Sequence, residues 1–192
     1  MKRAGIGSML CLGAAGLMAG CASSQTPDTP TPPSHNGGMF RERNEAYSLL
    51  SKLMEDDEDV SKIFILKSAS EPVKGIIKEI AAACDTAKKQ LDSFPQTNNR
   101  IEFDVPDLPK LEQKSRDLES RIDAKELLTS SDGEFEVRLI FSQAQAMGYA
   151  SNLCAALVSV EDDEGHKKFL TDLSKQCGDF RNRLLGMLAV KS

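Results

Sequence analysis

The chain has 192 residues, of which 40% are hydrophobic and 28% are charged, enough for one globular domain. Aromatic residues make up only 5% and Trp is absent, which argues against a stacking platform for single-stranded nucleic acid. The formal net charge of -5 also argues against a nucleic-acid partner, because neutralising phosphates requires a basic face. The composition indicates a globular protein and does not indicate an activity.

The first twenty residues have the organisation of a secretory signal peptide. Lys2 and Arg3 form a positive n-region, and an apolar segment of about fifteen residues follows from Ala4 to Met18. A transmembrane helix needs about twenty apolar residues, so this segment is too short to span a bilayer. We therefore expect residues 1–20 to direct export and then to be removed.

The export signal ends in the residues Leu17-Met18-Ala19-Gly20-Cys21. Small residues directly before a cysteine resemble the lipobox of bacterial lipoprotein signal peptides. The resemblance implies that the Cys21 thiol is lipidated, that the chain is cut before Cys21, and that the new amino terminus is acylated. Because Ala22 rather than Asp follows, it also implies the outer membrane, facing the periplasm, within the bacterial cell envelope. The alternative is an ordinary signal peptide that is cut elsewhere, with Cys21 left unmodified.

Residues 21–39 are predicted to be the lipidated cysteine followed by a disordered tether. The segment contains four of the eight prolines among Ser and Thr, namely Pro27, Pro30, Pro32 and Pro33. Such a composition buries too little apolar surface to offset the entropy of ordering. At roughly 3 Å per residue, the tether could hold the domain up to about 50 Å from the membrane. We expect the folded domain to occupy residues 40–192.

The clearest helix lies after this tether, between Ser70 and Pro95. Ser70 is a candidate N-cap, Pro72 suits a first turn, and Pro95 is expected to end the helix. Its apolar stripe alternates spacings of four and three and consists of Val73, Ile77, Ile80, Cys84, Ala87 and Leu91. This pattern predicts a helix that packs along one face.

Two later helices repeat the same spacing. Ser131 and Glu134 resemble a capping box at the start of the first of them. Its stripe is Ile140, Ala144, Met147, Ser151, Cys154 and Val158, and the stripe of the last helix is Leu173, Cys177, Phe180, Leu184 and Met187. Four acidic residues at 161–164 introduce the last helix, where negative charge complements the helix dipole.

The remaining segments have weaker patterns. A helix over about 108–128 has a thin stripe of Leu111, Leu118 and Ile122 between dense mixed charges, so we expect it to be the most exposed. A first helix is predicted over about 40–54, the run 60–66 is ambiguous with helix favoured, and residues 98–107 form the one long loop. The predicted fold is all-α: an antiparallel four-helix bundle of the ferritin-like up-down type, with an extra N-terminal helix.

Sequence motifs of enzymes are missing. There is no nucleophile elbow, Walker loop, zinc-protease motif or dinucleotide fingerprint, so we assign no catalytic residue, no cofactor and no metal. The acidic run 55–59 lacks the glycine of a calcium loop and is expected to be a solvated helix end. A di-iron bundle needs a Glu-x-x-His pair from each of two helices. Here Asp163 stands three residues before His166 and there is no second such pair, so His166 is expected to be a surface histidine.

Three cysteines, Cys84, Cys154 and Cys177, remain if Cys11 leaves with the signal and Cys21 carries lipid. All three lie on apolar stripes, where cysteine behaves as a small hydrophobe. Export permits oxidation, and Cys84 and Cys177 both fall near the midpoints of their helices, which makes them the candidate disulfide. Cys154 and Cys177 are offset by roughly 12 Å, too far for a bridge. A Cys84–Cys177 disulfide and buried free thiols therefore remain as alternatives.

The order of features from Val73 to Met187 resembles a family of exported ferritin-like bacterial bundle proteins of unknown function. The similar parts are the helix at 73–81, the segment 131–137 that opens the long helix, and the last helix from His166. That family often has a His after Asp in the first of these helices and another His in the long helix. This chain has Asp85-Thr86 and Tyr149-Ala150 at the nearest positions. The resemblance implies a helical bundle without the ligands that those histidines would supply.

Three hypotheses on function follow. The leading one is a non-enzymatic envelope lipoprotein that is held in the membrane through Cys21 and binds a protein partner, with Lys114, Arg116 and Arg121 as a candidate partner surface. The second is a ferritin-like metal or redox bundle with a degenerate carboxylate site. Its candidate ligands would be Glu79, Asp85, Glu134 and Glu136. The third is a small-ligand pocket between helices.

Overall fold

The computed structural model describes residues 35–98, 101–103 and 110–189, and these residues are all-helical. The elements are α1 (His35–Glu58), a 3₁₀ helix (Val60–Ile65), α2 (Glu71–Thr97), α3 (Lys110–Thr129), α4 (Asp132–Val160) and α5 (Glu164–Ala189). The all-α prediction is confirmed for this part of the chain. The predicted signal peptide, Cys21 and most of the predicted tether lie outside the described residues.

One hydrophobic core runs between the helices. The most extensive packing is between α4 and α5, α1 packs on both α2 and α4, and α2 meets α5 over a smaller interface. Every residue of the predicted α2 stripe is buried, and so are Cys154 of α4 and Cys177 of α5 with most of their stripes. The spacings of three and four therefore identified the packed faces correctly.

The expected division into four main helices and an extra N-terminal one is not the one observed. The N-terminal helix α1 contributes Tyr47, Leu50 and Met54 to the centre of the core, each without exposed surface. By contrast, α3 packs mainly on α4, and Leu127 near its end is buried. The reason is that the helices differ in how much apolar surface they can bury. The thin stripe of α3 offers little such surface.

Two helix ends also differ from the expectation. Helix α1 begins at His35 rather than Phe40, although the glycines at 37 and 38 are weak helix formers. Helix α2 continues through Pro95 to Thr97, where the sequence predicted an end. Pro95 lies in the last turn and removes one backbone hydrogen bond there, and the buried Phe94 beside it packs into the core. Tertiary packing therefore outweighs the local preference at this end.

The helix starts agree better with the sequence. The Glu134 carboxylate accepts a hydrogen bond from the backbone N–H of Ser131 at 3.2 Å, which is one of the two bonds of the predicted capping box, and it also accepts one from the Ser131 hydroxyl at 3.0 Å. Ser70 is the residue before α2 and has extended backbone, but its side chain makes no capping hydrogen bond; Pro72 lies in the first turn. The ambiguous run after α1 is helical in the 3₁₀ form, Val60–Ile65. Local start signals were therefore sufficient here, because they act within one turn.

Candidate functional site

A carboxylate at the α4–α5 connection is buried against α1. Glu161 follows α4, and its side chain has no exposed surface. One of its oxygens accepts a hydrogen bond from the Tyr47 hydroxyl. The other accepts the backbone N–H groups of Asp162 at 2.9 Å and Asp163 at 3.0 Å, and lies 3.7 Å from Nη1 of Arg43. Glu161 therefore joins α1 to the start of α5.

The electrostatics of this cluster keep Glu161 ionised and Tyr47 neutral. Burial raises the pKa of the Glu161 carboxyl, but hydrogen bonds from Tyr47 and from two backbone N–H groups lower it further than burial raises it. Its pKa therefore lies below the ordinary value. Burial, together with the adjacent Glu161 carboxylate, raises the pKa of Tyr47 far above its ordinary value. The pair forms a fixed hydrogen bond between helices and is not arranged to transfer a proton near neutral pH.

The His166 ring lies beside this cluster and is buried. It stacks on Phe94, with ring centroids 3.8 Å apart and an angle of 16° between the planes, and it is 7% exposed. Tyr47 and Phe169 meet the Phe94 ring edge-on. The expectation of a surface histidine is therefore wrong, because the last turn of α2 brings Phe94 over the ring. Nδ1 of His166 lies 3.7 Å from Oε2 of Glu161, beyond hydrogen-bonding distance.

Sequence reasoning missed this cluster because its members are far apart along the chain. Tyr47 and Glu161 are separated by 114 residues, and no motif links them. The one usable signal was a tyrosine within the apolar stripe of α1, since a buried phenol hydroxyl usually finds a hydrogen-bond partner. That signal predicts a partner but does not identify Glu161.

A second buried carboxylate lies at the end of α1. Asp57 is only 3% exposed, and its Oδ1 accepts a hydrogen bond from Nε2 of Gln143 at 3.2 Å. Burial raises the pKa of Asp57 to about 7, with the hydrogen bond from Gln143 acting in the opposite direction. The expectation that the acidic run is solvated is wrong at this position. Asp57 continues the stripe of Leu50 and Met54, so the helix period directs it inward.

The three cysteines lie one on each of α2, α4 and α5, and two of them, Cys84 and Cys177, are near enough to Asp57 for its charge to raise their pKa. All three are buried free thiols in the structure, and the Cys84–Cys177 disulfide stays a prediction for the exported chain. Burial raises the pKa of each thiol, that of Cys177 to about 12. Cys177 is close enough to raise the pKa of both Cys84 and Cys154. This arrangement suppresses the thiolate form and therefore nucleophilic chemistry.

We expect the three thiols of the folded full chain to resist alkylation. Iodoacetamide should modify them on the order of a thousandfold more slowly than in guanidinium chloride, because reaction requires opening of the core. The measurement is mass spectrometry of the unreduced chain, alkylated before and after unfolding. Fast labelling of the native chain would contradict the burial of these thiols. A mass showing one thiol and one bridge after unfolding would show that the disulfide forms in the cell.

The four carboxylates considered as metal ligands are engaged separately. Glu79 pairs with Arg183, Asp85 with Lys89, Glu134 with Ser131, and Glu136 with the backbone N–H of Ser70. Within the described ranges, no group of three or more His, Cys, Asp and Glu side chains is placed to hold a metal ion. The structure thus does not bring these four residues together.

An open groove of about 880 Å³ lies between α2 and α5, where the two helices meet over a small interface. Its apolar lining includes Ala87, Phe169 and Phe180, and charged residues of both signs, among them Lys168 and Asp172, line it as well. This groove corresponds to the hypothesis of a small-ligand pocket between helices. Because both signs of charge are present, the groove does not select a ligand by charge.

One face of α3 exposes three large apolar side chains. Leu111 is 82% exposed, Leu118 is 61% exposed and Ile122 is 51% exposed. Lys114 and Arg121, two of the three basic residues considered as a partner surface, are also exposed on this helix. The three apolar side chains, which we call the α3 stripe, lie seven and four residues apart and therefore share one face. The expectation that this helix is the most exposed one agrees with the structure.

None of the described helices is long and apolar enough to cross a membrane. Comparison of the chain with models of protein families, with curated proteins and with solved structures finds no match.

Proposed function

We propose that this protein is a lipid-anchored component of the bacterial cell envelope whose helical domain binds another protein and catalyses no reaction. The observation that carries the proposal is the α3 stripe of Leu111, Leu118 and Ile122. Large apolar side chains left in water forfeit about 1.5–3 kcal/mol each relative to burial. Grouped on one face, such side chains are typical of interaction sites.

The chemistry of the α3 stripe favours a helix as its partner. An apolar stripe on one helix is covered most completely by the stripe of another, with side chains interdigitating. Lys114, Arg121 and Glu126 lie near the stripe and are exposed, so the partner helix should carry charges of both signs. The net charge of -5 disfavours direct docking on anionic lipid headgroups. The partner proposed is therefore a protein helix.

The anchor in this proposal is Cys21. Its support is the sequence alone: a positive n-region, an apolar segment and small residues before the cysteine. Several acyl chains on one residue would anchor the chain stably, since each buried methylene contributes about 0.8 kcal/mol. The tether would then allow α3 to bind a partner at some distance from the membrane surface. The membrane surface proposed is the periplasmic face of the outer membrane.

We further propose a ferritin-like bundle in which α1, α2, α4 and α5 are the four core helices and α3 is the additional one. The connection between α4 and α5 is short, residues 161–163, which favours antiparallel neighbours. A single long connection, residues 98–131, separates the pair α1–α2 from the pair α4–α5. One long crossover between two helix pairs is typical of ferritin-like bundles.

The anchor is tested by replacing Cys21 with Ser in the full chain, expressed in bacteria with an alkyne-labelled fatty acid. The wild-type chain should carry the label and sediment with membranes, whereas Cys21→Ser should lose the label and remain with its signal uncut. Cys11→Ser is the matched control, because Cys11 lies in the apolar segment of the signal and should not be lipidated. Equal labelling of wild type and Cys21→Ser would refute the proposed anchor.

The binding face is tested with the photo-reactive residue benzoylphenylalanine at Ser115, which lies exposed between Leu111 and Leu118. Irradiation of intact cells should yield a crosslinked product at position 115. The matched control carries the same residue at Asp123, an exposed position displaced from the stripe. Loss of the product on Leu118→Lys would connect it to the stripe. Equal products at both positions, or none at 115, would exclude α3 as the binding face.

A further inference from the structure

Helix α3 has the register of a coiled coil. Leu111 and Leu118 are seven residues apart, as are Ser115 and Ile122, and the two pairs alternate with spacings of four and three. The heptad register therefore places the leucines at d, and Ser115 and Ile122 at a. The next d position holds the exposed Lys125, so the apolar part of the register ends at Ile122. Leu127, which is buried against the rest of the domain, falls at f on the opposite side. The contact of α3 with its own domain thus leaves the a and d positions exposed.

The a and d positions of α3 form a seam, and the residues on either side of it have opposite charges. In the same register, position e holds Glu112, Glu119 and Glu126, and position g holds Lys114 and Arg121. In a parallel helix pair, a g residue meets the e residue five positions later on the partner helix. In an antiparallel pair, g meets g and e meets e, which here would bring like charges together. The pattern therefore selects a parallel partner with the same order of charges.

This chain itself has the required order. Glu126 pairs with Arg138 of its own copy in the structure. In a parallel pair of α3 helices it would instead meet Arg121 of the other copy, and the two such contacts are equivalent under a two-fold axis. Leu111, Leu118 and Ile122 would each meet their own counterpart across the seam. We infer that the partner of the α3 stripe is α3 of a second copy of this chain, held in parallel. The inference deepens the proposed function and rests on it.

The size of the seam indicates where the pairing occurs. From Leu111 to Ile122 it extends for roughly 16 Å at 1.5 Å per residue, about three helical turns. So short a seam associates weakly in dilute solution, and tethering raises the effective concentration of the second helix. Anchoring of both copies through Cys21 in one membrane provides such tethering. Self-association is therefore a property of the membrane-anchored chain.

The pairing is tested by disulfide trapping in membranes that contain the full chain. Two copies with different epitope tags and the conservative change Ser115→Cys are co-expressed and oxidised with air and copper phenanthroline. Cysteines at an a position face each other in a parallel pair, so a dimer carrying both tags should form. Asp123→Cys is the matched control at position b, and the unchanged chain controls for its buried cysteines. Neither control should form this dimer.

Charge-reversal variants test whether the two α3 helices are parallel or antiparallel. Arg121→Glu in the Ser115→Cys background should reduce the trapped dimer by roughly tenfold, since it places two glutamates together in a parallel pair. Adding Glu126→Arg, which also removes the Glu126–Arg138 ion pair within each copy, should restore the dimer, because the swapped charges attract again. An antiparallel pair predicts no loss with Arg121→Glu, so an undiminished dimer would overturn the inference. The altered residues are exposed, and unchanged thermal unfolding confirms that each variant folds.

The crosslink from position 115 separates failure of this inference from failure of the proposed function. A product with the mass of two copies supports self-association. A product that contains a different protein and is lost with Leu118→Lys leaves α3 as a binding face and overturns self-association. If neither the photo-crosslink nor the disulfide forms, both the inference and the proposed binding face are overturned.

Discussion

Asp57→Asn is expected to stabilise the protein at pH 8 by up to roughly 4 kcal/mol, the free energy that separates the ordinary carboxyl pKa from about 7. Above pH 7 the folded chain holds an ionised carboxylate that is 3% exposed. Asn has nearly the same shape, can still accept the hydrogen bond from Gln143, and carries no charge. The comparison is the free energy of unfolding in urea at pH 8.

The pH dependence has a definite sign. The raised pKa means that the folded chain binds the Asp57 proton more tightly than the unfolded chain does. This contribution is fully present below about pH 4, falls as the pH rises to about 7, and is absent above that. Asp57→Asn should remove most of this slope. Asp56, whose pKa burial raises to about 6, should leave a smaller slope of the same sign.

Asp172→Asn is the control for this experiment, because Asp172 is exposed and pairs with Lys168 at the surface. It should change the free energy of unfolding by less than about 0.5 kcal/mol at any pH between 4 and 8. A wild-type stability that is flat from pH 4 to pH 7 would contradict the assignment, as would an Asp57→Asn variant with the slope of the wild type.

Glu161→Ala is expected to destabilise the protein by about 3–5 kcal/mol, because removing one partner of a buried polar cluster leaves the others without compensation. The hydroxyl of Tyr47 and two backbone N–H groups at the start of α5 would lose their acceptor. Arg43 would lose the carboxylate 3.7 Å from its guanidinium group. Denaturation in urea at pH 7 measures the loss.

Glu164→Ala is the matched control, since this glutamate is exposed and only three residues away. It should cost less than about 0.5 kcal/mol. Tyr47→Phe should cost about 1–3 kcal/mol, and its effect should largely vanish in the Glu161→Ala background, because both changes remove the same hydrogen bond. Independent, additive effects of these two changes would contradict the coupling.

Glu161 also gives stability a dependence on pH opposite to that of Asp57. Its pKa lies below the ordinary value in the folded chain, so the unfolded chain binds this proton more tightly. The stabilisation is present above the ordinary carboxyl pKa and is lost as the pH falls through the folded value. The free energy of unfolding of Glu161→Ala should therefore approach that of the wild type in acid. That of Asp57→Asn should exceed the wild-type value at neutral and basic pH.

The packed faces of α2, α4 and α5 were predictable because burial follows the helix period directly. Val73, Ile77 and Ile80 repeat at spacings of four and three, and all are buried. Asp57 also lies on the buried face that the helix period defines, but its charge and its acidic neighbours predicted an exposed side chain. The helix period was the better guide there, because one carboxyl group costs less to bury as a neutral acid than a whole apolar face costs to expose.

The sites of His166 and Glu161 could not be predicted, because their partners come from distant parts of the chain. A histidine and an acidic residue near a helix start usually face water. Here Phe94 at the end of α2 covers the ring, and Tyr47 of α1 meets the carboxylate. Such contacts depend on which helix ends meet in the tertiary structure, and the local sequence does not predict that.

By itself, the sequence determined that the described part of the chain is all-α, which faces of its strongest helices pack, and that α3 has only a thin apolar stripe, since each depends on neighbours within two turns. The tertiary structure decided that α1 is central to the core whereas α3 contributes Leu127 near its end, that Asp57 and Glu161 are buried, and that the α3 stripe is left exposed. The physical reason is that burial depends on how much apolar surface helices distant in the chain offer one another.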